Sequence, residues 1–127
     1  LAALRDILET TLAKLPATVV NGQGASRLPH VSNITFKHLR ADQIMMSVPD
    51  IALASGSACV SGTRDPSHVL MAMGLSASDA HASLRFSMGR FNTEAEVHTA
   101  IRQLTSAVEQ LRASSPIWQL HKAGLVK

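Results

Sequence analysis

Apolar residues recur along the chain at two spacings, and each spacing predicts one kind of element. Leu1, Leu4, Leu8, Leu12 and Leu15 step by three and four, which lines one face of a helix over residues 1–15. Pro16 ends it, because proline lacks an N–H and its ring collides with the preceding turn. Asn21, Gly22, Gln23 and Gly24 read as a turn. Over residues 30–36 the spacing falls to two: Ile34 and Phe36 share one side, Asn33 and Thr35 the other, as in a half-buried strand. Residues 41–47 predict a short helix closed by Pro49, and residues 51–54 a short apolar strand. Ser67 reads as the N-cap of a helix through Met73, with Gly74 as terminator. Alternation returns over residues 82–88, with Leu84, Phe86 and Met88 opposite Ser83, Arg85 and Ser87. Thr93 and Glu96 form a capping-box pair ahead of a long helix. Its stripe of Val97, Ile101, Leu104, Val108 and Leu111 suits packing against a sheet. Ser114, Ser115 and Pro116 break that helix and start a last short one carrying Trp118.

Short strands interleaved with helices predict an α+β domain: a small antiparallel or mixed sheet of three to four strands with helices packed on one face. At 127 residues the chain is one domain, large enough to bury a sizeable core. Hydrophobic residues at 46% and charged residues at 17% are globular proportions. Aromatics are only 3%, so the core is aliphatic, with five Met as adaptable filler. The net charge of +3 is scattered, with no basic block, so a nucleic-acid partner is not expected. No apolar run approaches the ~20 residues of a membrane helix, and no signal-peptide pattern opens the chain. A cytoplasmic, reducing setting is the expectation. The chain starts at Leu1, inside a periodic helix, and reads as a piece of a longer protein.

Two residues stand out chemically. The single cysteine, Cys59, excludes an internal disulfide and a cysteine-based zinc cluster. It lies in a small, polar, glycine-bearing segment, residues 55–66, expected to be a mobile loop. A lone cysteine is commonly a small buried hydrophobe. Here Gly56, Ser57, Ala58, Ser61 and Gly62 offer nothing to bury it with, so its thiol is expected to be exposed and able to travel, the access a reactive thiol needs. Arg64 is the only cation close to it in sequence, and no histidine adjoins it. Arg85 is the second candidate. It falls between Ser83 and Ser87 on the polar face of an otherwise apolar strand, where a planar guanidinium can clamp a carboxylate with two parallel N–H groups; a head group left in solvent is the bland alternative. The six histidines, His30, His38, His68, His81, His98 and His121, form no pair on one helix face, so no metal site is expected.

Several stretches together resemble the cysteine desulfurases, pyridoxal-phosphate enzymes related to aminotransferases. Ser55-Gly56-Ser57-Ala58-Cys59 is similar to their active-site cysteine motif. Asp65-Pro66-Ser67-His68-Val69-Leu70 and Ala72-Met73-Gly74-Leu75 resemble its continuation, and the run from Ala80 to Glu94 through Arg85-Phe86-Ser87-Met88-Gly89-Arg90-Phe91 the next family motif. Arg27-Leu28-Pro29 with Asn33-Ile34-Thr35-Phe36 matches an earlier strand, and Ser115-Pro116-Ile117-Trp118 the C-terminal helix. The likeness covers residues 27–122 in order. The long loop after Cys59 looks like the subgroup that feeds iron–sulfur cluster assembly; Val60 departs from the polar residue often found there. The family's Schiff-base lysine motif is missing, since His121-Lys122 lies in the C-terminal helix without the surrounding Ser and Gly-Pro.

The resemblance implies that residues 1–127 are the C-terminal small domain of such an enzyme. Residues 1–15 would lead in from the large domain, and residues 55–66 would carry the catalytic cysteine. It also implies a role for each candidate: Arg85 binds the carboxylate of L-cysteine, and Cys59 attacks the substrate sulfur, releases alanine and carries a persulfide. A mobile loop would let the sulfur pass from the cleft to an acceptor protein such as an iron–sulfur scaffold. Pyridoxal 5'-phosphate would be bound by the large domain, so the chain alone would be inactive; the full-length form would be a homodimer. A selenocysteine lyase of the same family, and a non-catalytic sulfur-carrier or interaction module, are the alternatives.

Overall fold

Ile34, Phe36, Leu84 and Phe86, the inward residues of two neighbouring strands, are fully buried, and the helices pack over them. The computed structural model describes residues 2–21, 31–49, 54–55, 57–58, 65–66, 74–87 and 93–125. Its elements are α1 (Ala2–Leu12), β1 (Thr18–Asn21), β2 (Val31–Phe36), α2 (Ala41–Ser47), β3 (Ala54–Ser55), β4 (Ser57–Ala58), β5 (Asp65–Pro66), α3 (Ala77–His81), β6 (Ser83–Ser87), α4 (Glu94–Ala113) and α5 (Pro116–Lys122). Four strands form one antiparallel sheet in the order β1-β2-β6-β3. Leu8 and Leu12 of α1, Ile44 of α2, and Val97, Leu104 and Val108 of α4 complete the core over one face. Each such side chain contributes roughly 1.5–3 kcal/mol by leaving water. A polar link crosses this layer: Ser32 Oγ on β2 donates to Glu9 on α1 at 2.6 Å, and both residues are buried. The α+β architecture with a small antiparallel sheet is the one expected from the spacing.

The caps behave as the sequence requires. Thr93 Oγ1 accepts from Glu96 N–H at 3.1 Å to open α4, and Ser115 Oγ accepts from Trp118 N–H at 3.2 Å to open α5, with Pro116 in its first turn. Other elements differ from the sequence reading. Helix α1 stops at Leu12, short of Leu15, because the chain tightens into i→i−3 bonds from Lys14 N–H to Thr11 and from Leu15 N–H to Leu12, 3.3 and 3.0 Å. Ala17 then takes a φ of 50°. Strand β1 was not expected: Asn21 ends a strand instead of opening a turn, because pairing with β2 from Thr18↔Phe36 to Asn21↔Asn33 stabilises a run too short to show alternation. Helix α3 was also missed, although Ser76 caps it through Asp79 N–H at 3.1 Å. Of the apolar strand read over residues 51–54, Ala54 falls in β3, and residues 51–53 lie outside the described residues. The segment 55–66 is not one unbroken loop, since β4 pairs with β5 (Ser57↔Pro66, Ala58↔Asp65). The helix expected over residues 67–73 lies outside the described residues.

Arg112 of α4 is 4% exposed. Its guanidinium donates to the carbonyls of Pro16 (2.5 Å), Ala17 (3.2 Å) and Lys37 (3.0 Å). It also lies 4.2 Å from the centre of the Trp118 ring. One side chain thus ties α4 to the turns after α1 and after β2. Burial pushes its pKa down to about 10, so it stays charged at neutral pH, held by carbonyl dipoles and an aromatic face. His38, at φ 68°, packs against the same group, its ring 4.5 Å from that of His121. Burial, then His121, Arg112 and Lys37, hold the His38 imidazole below its ordinary value, with Asp79 opposing.

Two outcomes follow from this cluster. Arg112→Met keeps apolar bulk under Trp118 but removes a charged donor from three carbonyls, of which Pro16 keeps the Thr18 hydroxyl and Ala17 the Lys37 N–H, and urea unfolding is expected to show a loss of about 3 kcal/mol; a loss under about 1 kcal/mol contradicts the staple role. His38 resists a proton in the folded state that it accepts readily when unfolded. The unfolded chain therefore binds more protons as the pH falls through the ordinary histidine range, and stability declines there. His38→Asn, which keeps a residue tolerant of positive φ, should reduce the stability difference between pH 7.5 and pH 5; identical differences in both proteins would contradict it.

Candidate functional site

The second face of the sheet is polar. Strand alternation places Asn33 and Thr35 of β2 and Ser83 and Arg85 of β6 on the side away from the core. Register then aligns Asn21, Asn33, Arg85 and Ala54 in one row across all four strands. Asn21 Nδ2 donates to Asn33 Oδ1 at 2.8 Å and to Thr35 Oγ1 at 2.7 Å. Thr35 Oγ1 and Ser83 Oγ are 2.7 Å apart, and Ser83 Oγ donates to the Asp79 carbonyl of α3 at 2.7 Å. Thr35 and Ser83 are buried, Asn33 is half-buried, and Arg85 is exposed. Among the described residues, no hydrogen bond or ion pair engages the Arg85 guanidinium. The face therefore presents a free, planar cation beside an ordered polar ladder, an arrangement suited to a carboxylate.

Strand β3 leaves the sheet next to Arg85, pairing Ala54↔Arg85 and Ser55↔Leu84. Strand β4 follows and ends at Ala58, the residue before Cys59. Cys59 itself lies outside the described residues. Of the two sequence candidates, Arg85 is thus placed on the polar face, as its alternation with Leu84 and Phe86 required.

The polar ladder was not legible in the sequence. Asn33 and Thr35 could be assigned to a face, but Asn21 belongs to an unforeseen strand, and the Ser83–Asp79 bond needs the unforeseen α3. The pairing of His38 with His121, stacked near Trp118, was equally hidden, since these residues are far apart in the chain. Among the described residues no group of three or more His, Cys, Asp or Glu could hold a metal ion. A shallow groove of about 470 Å³ between α2 and α4, bordered by Val48, Arg102, Ser106 and Gln110, opens on the helical side of the molecule; it gathers no nucleophile and no acid–base pair.

With the fold and this face in hand, the chain can be set beside known proteins. The family model of aminotransferase class V matches residues 1–99, and the chain belongs to that family. More particularly, it is 46% identical over 123 residues to the cysteine desulfurase IscS of Vibrio campbellii, an alignment covering 97% of this chain and 30% of that protein. It is 45% identical over 125 residues to the cysteine desulfurase IscS of Haemophilus influenzae, covering 98% of this chain and 31% of the relative. The chain therefore spans about 30% of the length of the curated relatives it matches. Among solved structures, the NifS-like protein from Rickettsia africae superposes with a TM-score of 0.72 at 25% identity, over 85% of this chain and 28% of that one.

Proposed function

We propose that residues 1–127 are the C-terminal small domain of a pyridoxal-phosphate-dependent cysteine desulfurase that supplies sulfur for iron–sulfur cluster assembly. In this reading Arg85 holds the carboxylate of L-cysteine with its paired N–H groups. Cys59, as thiolate, attacks the substrate sulfur; the electron pair of the C–S bond passes to carbon, and alanine and a Cys59 persulfide result. An acceptor protein such as an iron–sulfur scaffold then takes the sulfur. The whole enzyme works as a cytoplasmic homodimer. The observation that carries the reading is the unengaged Arg85 guanidinium on the polar sheet face, next to the strand that leads toward Cys59. The sequence likeness to proteins named cysteine desulfurase over nearly the whole chain supports it.

The described residues do not fit a binding site for the cofactor. Lys37 pairs with Asp79 at 3.5 Å, Lys14 and Lys122 are exposed beyond or at helix ends, and none of them stands in the row with Arg85. The cofactor belongs in this reading to the remainder of the longer protein. What this chain contributes is substrate orientation and the sulfur carrier.

In the full-length enzyme that contains this segment, Arg85→Ala is expected to raise KM for L-cysteine by about 30- to 100-fold, from the loss of a charge-assisted bidentate contact. Cys59→Ser is expected to abolish the persulfide adduct seen by intact-protein mass spectrometry after exposure to cysteine, with cofactor binding retained. An unchanged KM would remove Arg85 from the site, and a persistent adduct would remove Cys59. The isolated chain should release no sulfide from cysteine; turnover by it would overturn the domain assignment.

A further inference from the structure

We propose that Asn33 is a second donor to the carboxylate held by Arg85, and that a one-way chain of hydrogen bonds running back to α3 aims its amide for that task. The inference rests on the reading of Arg85 given above.

The direction of the chain follows from counting protons. The Asp79 carbonyl can only accept, so Ser83 Oγ gives it its single proton at 2.7 Å. Toward Thr35 the serine oxygen must then accept, and Thr35 Oγ1 must donate across the 2.7 Å between them. With its own proton committed, Thr35 Oγ1 can only accept from the other side, which requires the NH2 end of Asn21 at 2.7 Å. The same Asn21 nitrogen donates to Asn33 Oδ1 at 2.8 Å. Reversing Asn33 would set its NH2 group against that of Asn21, and reversing Asn21 would set its oxygen against the accepting oxygens of Asn33 and Thr35. Thr35 and Ser83 are 1% and 0% exposed, so no water could relieve that contact.

The consequence appears at Asn33. Its oxygen is turned toward β1, which leaves its NH2 group to the other side, where Arg85 is the directly opposed residue on β6. In an antiparallel pair, opposed Cβ atoms stand about 5 Å apart, within reach of one shared ligand. Had the oxygen faced Arg85, it would have accepted from the guanidinium and competed with a substrate. As arranged, an amide donor and a guanidinium stand side by side with no acceptor between them, and no described residue engages the guanidinium. Donors collected on one spot of a sheet define a site for a small anion, and a carboxylate with two oxygens can meet both groups at once. Asn33 is thus a binding residue, whereas Asn21, Thr35 and Ser83 are positioning residues that act through it.

The test uses the full-length enzyme. Asn33→Asp keeps the size of the side chain and the bond from Asn21 but turns an oxygen toward Arg85, pairing with it and repelling the substrate carboxylate. KM for L-cysteine is expected to rise at least about 30-fold in Asn33→Asp and about 5- to 10-fold in Asn33→Ala, with kcat within about twofold of wild type. Thr35→Val, which breaks the chain without touching substrate, should raise KM about threefold. Cysteamine, which lacks the carboxylate, is the control inhibitor, and its inhibition constant should not move in any of the three. A KM that stays at the wild-type value in both Asn33 variants overturns the inference, as does a parallel rise in KM and in the cysteamine constant. Arg85→Ala, measured alongside, separates the two claims. If it raises KM while the Asn33 variants do not, only the Asn33 proposal fails; if it leaves KM unchanged, the reading of Arg85 fails and takes the Asn33 proposal with it.

Discussion

The pairing of β2 with β6 in one register is the constraint on which the rest depends. Side chains alternate along a strand, so a single register sends Ile34, Phe36, Leu84 and Phe86 to one face and Asn33, Thr35, Ser83 and Arg85 to the other. A slip of one residue would drive a guanidinium into the aliphatic core and turn its largest members toward water. The free-energy cost of burying an unpaired charge is far larger than that of any surface rearrangement, so the apolar face locks the position of the polar one. The stability of the core and the geometry of the polar row therefore have one origin.

The two faces are completed by different physics. On the apolar side, α1, α2 and α4 supply aliphatic residues whose burial is non-directional and tolerant of detail. On the polar side, contacts are directional, and each hydroxyl or amide fixes the next. Arg112 belongs to the first side by position but to the second by character: three carbonyls and an aromatic ring hold a cation where the core meets the turns. It ties α4 to the two turns that flank the β1–β2 pair, which is how a short sheet and a long helix become one frame. In the proposed reading, that frame is what holds Arg85 in place on the sheet face.

Much of this was legible beforehand, for identifiable reasons. Alternation at Leu84, Arg85 and Phe86 assigned Arg85 to a polar face, since period-two patterning survives in a strand of five residues. The Thr93–Glu96 box and the Val97–Leu111 stripe assigned α4, since caps and spacing agree along twenty residues. The Ser115-Pro116 pair opened α5. Strand β1 and helix α3 escaped because four or five residues carry less pattern than noise; their stability comes from partners, Phe36 and Thr35 for β1 and strands β2 and β5 for α3. The pairing of β4 with β5 escaped for the same reason, as small polar residues show no preference that a ladder would impose.

The sequence by itself determined which residues seek burial and where helices start and stop, and it marked Cys59 and Arg85 as the candidates for chemistry. It could do so because periodicity, capping and turn preferences are local and are written in neighbouring residues. Only the tertiary structure decided that Asn21 and Asn33 share a row with Arg85, that Ser83 reaches back to Asp79, and that Arg112 closes three carbonyls from two distant turns. Those contacts depend on strand order and register, which arise when distant segments compete for one core, and no local pattern encodes the outcome of that competition.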